Sequence, residues 1–136
     1  MDELSALLAQ WSEGFAARNS DALAALYCED ALLYGSSPEL VCGREAIRGY
    51  FQALPRSGAL GAEFSNLVMR QTSPSTASVG ATVTFTMDDF TMPMRITLGL
   101  VRCGAAWSIG LHHASPVQGI ASEEVGPRDD RLESHY

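Results

Sequence analysis

Hydrophobic positions change period halfway along the chain. From Asp2 to Arg18 the apolar residues Leu4, Leu7, Leu8, Trp11 and Phe15 fall three or four apart, which predicts one amphipathic helix. Asp2 and Glu3 suit its positive N-terminal end and Arg18 its C-terminal end. Asn19-Ser20-Asp21 predicts the cap of a second, short helix carrying Leu23, Leu26 and Tyr27. Ala31 to Tyr34 reads as a short strand stopped by Gly35-Ser36-Ser37-Pro38. A third helix is expected from Arg44 to Leu54, with Ile47, Tyr50, Phe51 and Leu54 on one face. Beyond Gly58 the period becomes two. Segments 63–71, 77–88, 92–103 and 106–115 all read as strands, with Thr82, Thr84 and Thr86 alternating against Val83, Phe85 and Met87. Helices early and strands late predict an α+β fold with an antiparallel sheet.

Composition narrows the chemistry. The 136 residues are 46% hydrophobic and suffice for one packed domain. All nine basic residues are Arg, which excludes a Schiff-base lysine and a P-loop lysine. The net charge of −7 with scattered Arg lacks the electrostatic footprint of a nucleic-acid binder. No apolar run is long enough to span a membrane as a helix. Cys28, Cys42 and Cys103 share no metal-ligand spacing, so they are expected to be reduced, buried thiols in a cytoplasmic protein, and no metal is expected. The acidic N-terminus lacks the basic region of a secretory signal. Residues 119–136 hold five acids and two Arg, and read as a polar tail beyond a domain spanning 1–118.

Three stretches carry a family resemblance. They are Trp11 to Ala31, Gly43-Arg-Glu-Ala-Ile-Arg-Gly-Tyr-Phe51, and Arg95-Ile-Thr97 followed by Trp107-Ser-Ile-Gly-Leu-His112-His113-Ala-Ser115. In order and spacing they resemble the nuclear transport factor 2-like superfamily, nearest to its SnoaL-like members of the SgcJ/EcaC type. That resemblance implies a cone: a strongly curved antiparallel sheet wrapped around three N-terminal helices, enclosing one pocket for a small apolar organic molecule. It also implies a homodimer formed through the sheet.

Strict alternation along the last strand puts Trp107, Ile109, Leu111, His113 and Ser115 on one face. His113 is therefore expected to face the interior, as a general acid/base, as a hydrogen-bond donor, or as a satisfied core or interface histidine. Arg95, with Thr97 on its face, is expected either to anchor a ligand carboxylate or enolate or to pair with Asp30 or Glu29. Tyr34 is the phenol expected at the pocket mouth. Trp11, Phe15, Tyr50, Phe51, Met69 and Phe85, with Thr97 and Ser115, are expected to line the pocket. Met87, Phe90, Met92 and Met94 suit a pliable wall or a dimer contact.

Ketosteroid isomerases belong to the same superfamily. By resemblance, Trp11 stands where they carry a helix tyrosine, and Gly35 stands where they carry a carboxylate base. Acid/base duty would then fall to His113 or Asp88. No nucleotide or flavin fingerprint is present, and no cofactor is expected. Two functions follow as expectations. One is a small-molecule pocket protein performing cofactor-free isomerisation, cyclisation or dehydration. The other is a non-catalytic association module resembling the calcium/calmodulin-dependent kinase hub.

Overall fold

The computed structural model describes residues 2–55 and 58–117. The expected tail lies outside the described residues. Helix α1 (Asp2–Ala16) is followed by α2 (Ser20–Ala24), strand β1 (Tyr27–Tyr34), β2 (Val41–Cys42), α3 (Arg44–Gln52) and four long strands, β3 (Leu60–Ser73), β4 (Thr76–Met87), β5 (Phe90–Cys103) and β6 (Ala106–Pro116). The strands form one six-stranded sheet in the order β2-β1-β6-β5-β4-β3. The α+β, curved-sheet expectation is met. All pairings are antiparallel except β1 with β6, which run parallel.

Tyr27 is not on the second helix but opens β1. The Asn19 side chain caps α2 by accepting the Ala22 N–H, and the helix is over by Ala24. The chain enters the sheet four residues earlier than its hydrophobic pattern suggests. Tyr27 is thereby carried, fully buried, into the core.

The core lies between the helices and one face of the sheet. The apolar stripe of α1 is buried as its spacing requires, with Leu4, Leu7, Leu8, Trp11 and Phe15 all at most 5% exposed. From α3, Ile47 and Phe51 are buried. On β5 the alternation is regular: Met94, Ile96, Leu98 and Leu100 face in, and Arg95 and Thr97 face out. Glu3 ties the start of α1 to the β5–β6 hairpin, accepting from Arg102 Nη2 (2.8 Å) and from the Trp107 indole (3.0 Å). The Arg102 guanidinium lies 4.3 Å above the Trp107 ring.

The last strand breaks its own alternation. Leu100 pairs with Ile109 but Gly99 pairs with Leu111, so β6 has one residue too many at Gly110. This is a β-bulge, and it reverses which face each later residue occupies. Trp107 and Ile109 point inward, and beyond the bulge His112 and Ala114 do so. His113, expected inside, is on the outer face.

No helix among the described residues is long and apolar enough to cross a membrane. The three cysteines are free, but Cys42 and Cys103 are exposed and Cys28 is half-buried, contrary to the expectation that all would be buried.

Candidate functional site

Aromatic side chains nearly fill the space between the helices and the sheet. Trp11 stacks on Phe15 (5.3 Å between centroids) and meets Phe51 and Phe64 edge-on at 5.9 and 5.8 Å. Phe85 packs against Phe15 at 5.2 Å. A cavity of about 100 Å³ remains among them. Trp11, Phe15, Phe51, Phe85 and Ala114 form its apolar wall, Met87, Met92 and Met94 flank it, and among the described residues His112 alone contributes an imidazole. Among the described residues no Asp, Glu or Arg side chain lines it.

The mouth is made where α3 approaches the loop after β1. The Tyr50 hydroxyl oxygen accepts the Ser36 N–H (2.8 Å) and lies 3.1 Å from Ser36 Oγ. Gly35 makes this approach possible, since a Cβ there would lie 2.7 Å from Tyr50 Cζ.

At the buried end, three side chains form a chain of hydrogen bonds. The Trp11 indole N–H donates to the Tyr27 hydroxyl oxygen at 2.9 Å, and that oxygen lies 2.9 Å from Nδ1 of His112. An indole can only donate, so the Tyr27 oxygen must accept there. Its own proton, in a fully buried side chain, then has Nδ1 as its acceptor. Tyr27 therefore donates to Nδ1, and the neutral imidazole carries its proton on Nε2. No partner for Nε2 exists among the described residues.

Electrostatics keeps this arrangement uncharged. Burial, helped by neighbouring His113, pushes the His112 imidazole down to about 4. Burial likewise holds the Tyr27 phenol far above its ordinary value, against the lowering effect of the Trp11 hydrogen bond. At neutral pH the site offers a neutral donor.

The expected site residues fall in three places. Trp11, Phe15, Tyr50, Phe51 and Phe85 do line the cavity. Met69 packs, half-buried, against the core elsewhere. Arg95, Thr97, His113 and Ser115 come together in a shallow depression on the outer face of the sheet. Tyr34, 43% exposed, lies beside His113 there (5.6 Å between ring centroids) rather than at the cavity mouth. Arg95 donates to the Pro116 carbonyl at 3.4 Å. Regular alternation accounts for Arg95 and Thr97: the apolar neighbours Met94, Ile96 and Leu98 take the inner face. The bulge accounts for His113 and Ser115.

Asp88 is an exposed turn residue with φ 60°, outside the cavity wall, and Phe90 is 56% exposed. His112 was missed by alternation; the glycine in mid-strand at 110 was its available signal. Among the described residues no three His, Cys, Asp or Glu side chains converge as a metal-binding group.

The model of the SnoaL-like domain matches residues 4–119. The chain belongs to this family. The SnoaL-like domain shares its fold with several solved structures. A Xanthomonas campestris protein described as a calcium/calmodulin-dependent protein kinase II association domain is 26% identical, with TM-score 0.77 over 85% of this chain and 86% of that one. A Novosphingobium aromaticivorans protein described as a scytalone dehydratase is 15% identical, with TM-score 0.79 over 86% and 83%. A nuclear transport factor 2-like protein of unknown function from Pseudomonas putida is 19% identical, with TM-score 0.74 over 84% of each chain. No curated protein matches the chain.

Proposed function

We propose that this SnoaL-like domain binds a small, mostly apolar organic molecule in the aromatic cavity and polarises it through the Nε2–H of His112. The observation that carries this reading is the Trp11–Tyr27–His112 chain, which ends in a buried neutral imidazole lining an apolar cavity. A buried N–H without a partner is costly, and a ligand oxygen removes the cost. Such a donor stabilises negative charge developing on a carbonyl oxygen, the requirement shared by cofactor-free isomerisation, cyclisation and dehydration. Among the described residues no carboxylate lines the cavity to act as a base. The polar contact therefore passes from His113, Arg95 and Tyr34 to His112.

The test uses Trp11 as reporter. Trp107→Phe removes the other indole. Small apolar compounds should then change Trp11 emission saturably. Ala114→Leu, which fills the cavity, should abolish the change while the circular dichroism stays native. Emission that responds to no compound, or responds equally in the filled variant, overturns the reading.

A second copy of the chain fits the outer face of the sheet. Leu32, Leu111 and Val68 are 38, 47 and 50% exposed there, beside Gly80 and Gly99, with the charged side chains of Glu29, Asp30, Arg44 and Arg70 around them. Arg95, His113 and Tyr34 would rim this homodimer contact rather than touch the ligand. Sedimentation should give a dimer for the native chain and a monomer for Leu111→Glu. A native monomer overturns the dimer, and a larger ring favours an association module.

A further inference from the structure

We propose that the molecule this cavity accepts is a neutral, single-ring carbonyl compound of about six to eight non-hydrogen atoms, bound with its carbonyl oxygen on Nε2 of His112. This rests on the pocket reading above and adds the ligand's size, charge and functional group.

Size follows from what occupies the core. Five aromatic rings and His112 leave about 100 Å³. A dry apolar cavity of roughly 150 Å³ holds benzene, whereas drug-sized ligands need about 300 Å³ or more. The flexible side chains of Met87, Met92 and Met94 can yield enough for a substituted ring. A fused polycycle would have to displace Trp11 or Phe85, and Trp11 is held by its bond to Tyr27.

Charge follows from the wall. A carboxylate would enter a space on which the described residues place no cationic side chain, beside an imidazole that is neutral at pH 7. Its desolvation would go uncompensated.

The functional group follows from hydrogen-bond accounting. Among the described residues, His112 offers the buried end of the cavity a donor, Nε2–H, and no acceptor, because its Nδ1 is taken by the Tyr27 hydroxyl. A carbonyl satisfies that donor and brings no proton of its own. An alcohol or phenol in the same place would bury an unpaired O–H.

The experiment follows the Trp11 indole and His112 imidazole resonances in the full chain by ¹⁵N NMR. The probes are cyclohexanone, cyclohexanol, methylcyclohexane, benzoate and the tricyclic ketone fluorenone. Cyclohexanone should shift both resonances saturably. Cyclohexanol, methylcyclohexane and benzoate should bind about tenfold more weakly or worse. Fluorenone should leave both resonances unmoved. His112→Phe should erase the advantage of cyclohexanone over methylcyclohexane, and if that variant does not fold, the five-probe series on the native chain decides alone. Fluorenone or benzoate binding as tightly as cyclohexanone overturns the size or charge assignment while leaving the pocket reading standing. Equal binding of cyclohexanol overturns the carbonyl. If none of the five probes moves either resonance, both the ligand class and the pocket reading fail.

Discussion

The Tyr27 hydroxyl oxygen and Nδ1 of His112 lie 2.9 Å apart, joining the first strand of the sheet to the last across 85 residues. The contact fixes the imidazole tautomer, and through it the chemistry offered to the cavity. Tyr27→Phe removes the one group that both accepts from Trp11 and donates to His112. Two buried partners lose their bonds, so the domain should lose about 2–4 kcal/mol in urea unfolding. The His112 ¹⁵N shifts should change from a single Nε2–H tautomer to a mixture. An unchanged tautomer would separate the imidazole from Tyr27.

His112 makes stability depend on pH in a definite direction. Its folded-state value is depressed to about 4 from 6.5, so the unfolded chain takes up a proton more readily. Its contribution is complete above pH 6.5. It falls by about 1.4 kcal/mol per pH unit below that and is lost by about pH 4. His112→Gln keeps an acceptor and a donor but does not titrate. Chemical denaturation between pH 4 and 7 should show a flatter curve for the variant. Parallel curves would place the acid sensitivity elsewhere.

Gly35 holds the cavity mouth open to the Tyr50 ring. Gly35→Ala sets a methyl against Tyr50 Cζ and should displace the ring from Ser36, with a loss of about 1–3 kcal/mol. Tyr50→Ala should cancel most of that loss in the double variant. Additive effects in the thermodynamic cycle would show that the two positions do not touch.

The cysteines should react in an order set by burial. Cys28 is half-buried and its thiol is raised by desolvation, whereas Cys42 is exposed. A thiol reagent at pH 7 should label Cys42 before Cys28, read by peptide mass mapping. Cys28 labelling first would show that β1 opens at its outer face.

Much of the fold was written in local pattern. The 3.6 period brought Trp11 and Phe15 inside, and the same reading of 44–54 gave Ile47 and Phe51 their buried face. The period of two in β4 and β5 marked the sheet, although Arg95, expected at the ligand, faces out. These follow from sequence because each depends only on neighbours within one turn or one pleat.

Which histidine enters the cavity depends on something longer in range. His112 and His113 are adjacent and alike, and strand alternation can admit one of them. The choice is made at Gly110, where pairing with β5 across Gly99 and Leu100 leaves one residue unmatched and reverses the faces beyond it. Tyr27 is decided in the same way, by α2 ending at Ala24 and β1 beginning early enough to meet Ile109. Period, helix faces and the aromatic core belong to the sequence. The donor at the cavity floor belongs to the tertiary structure, because a bulge is a mismatch between two strands and cannot be written in either one alone.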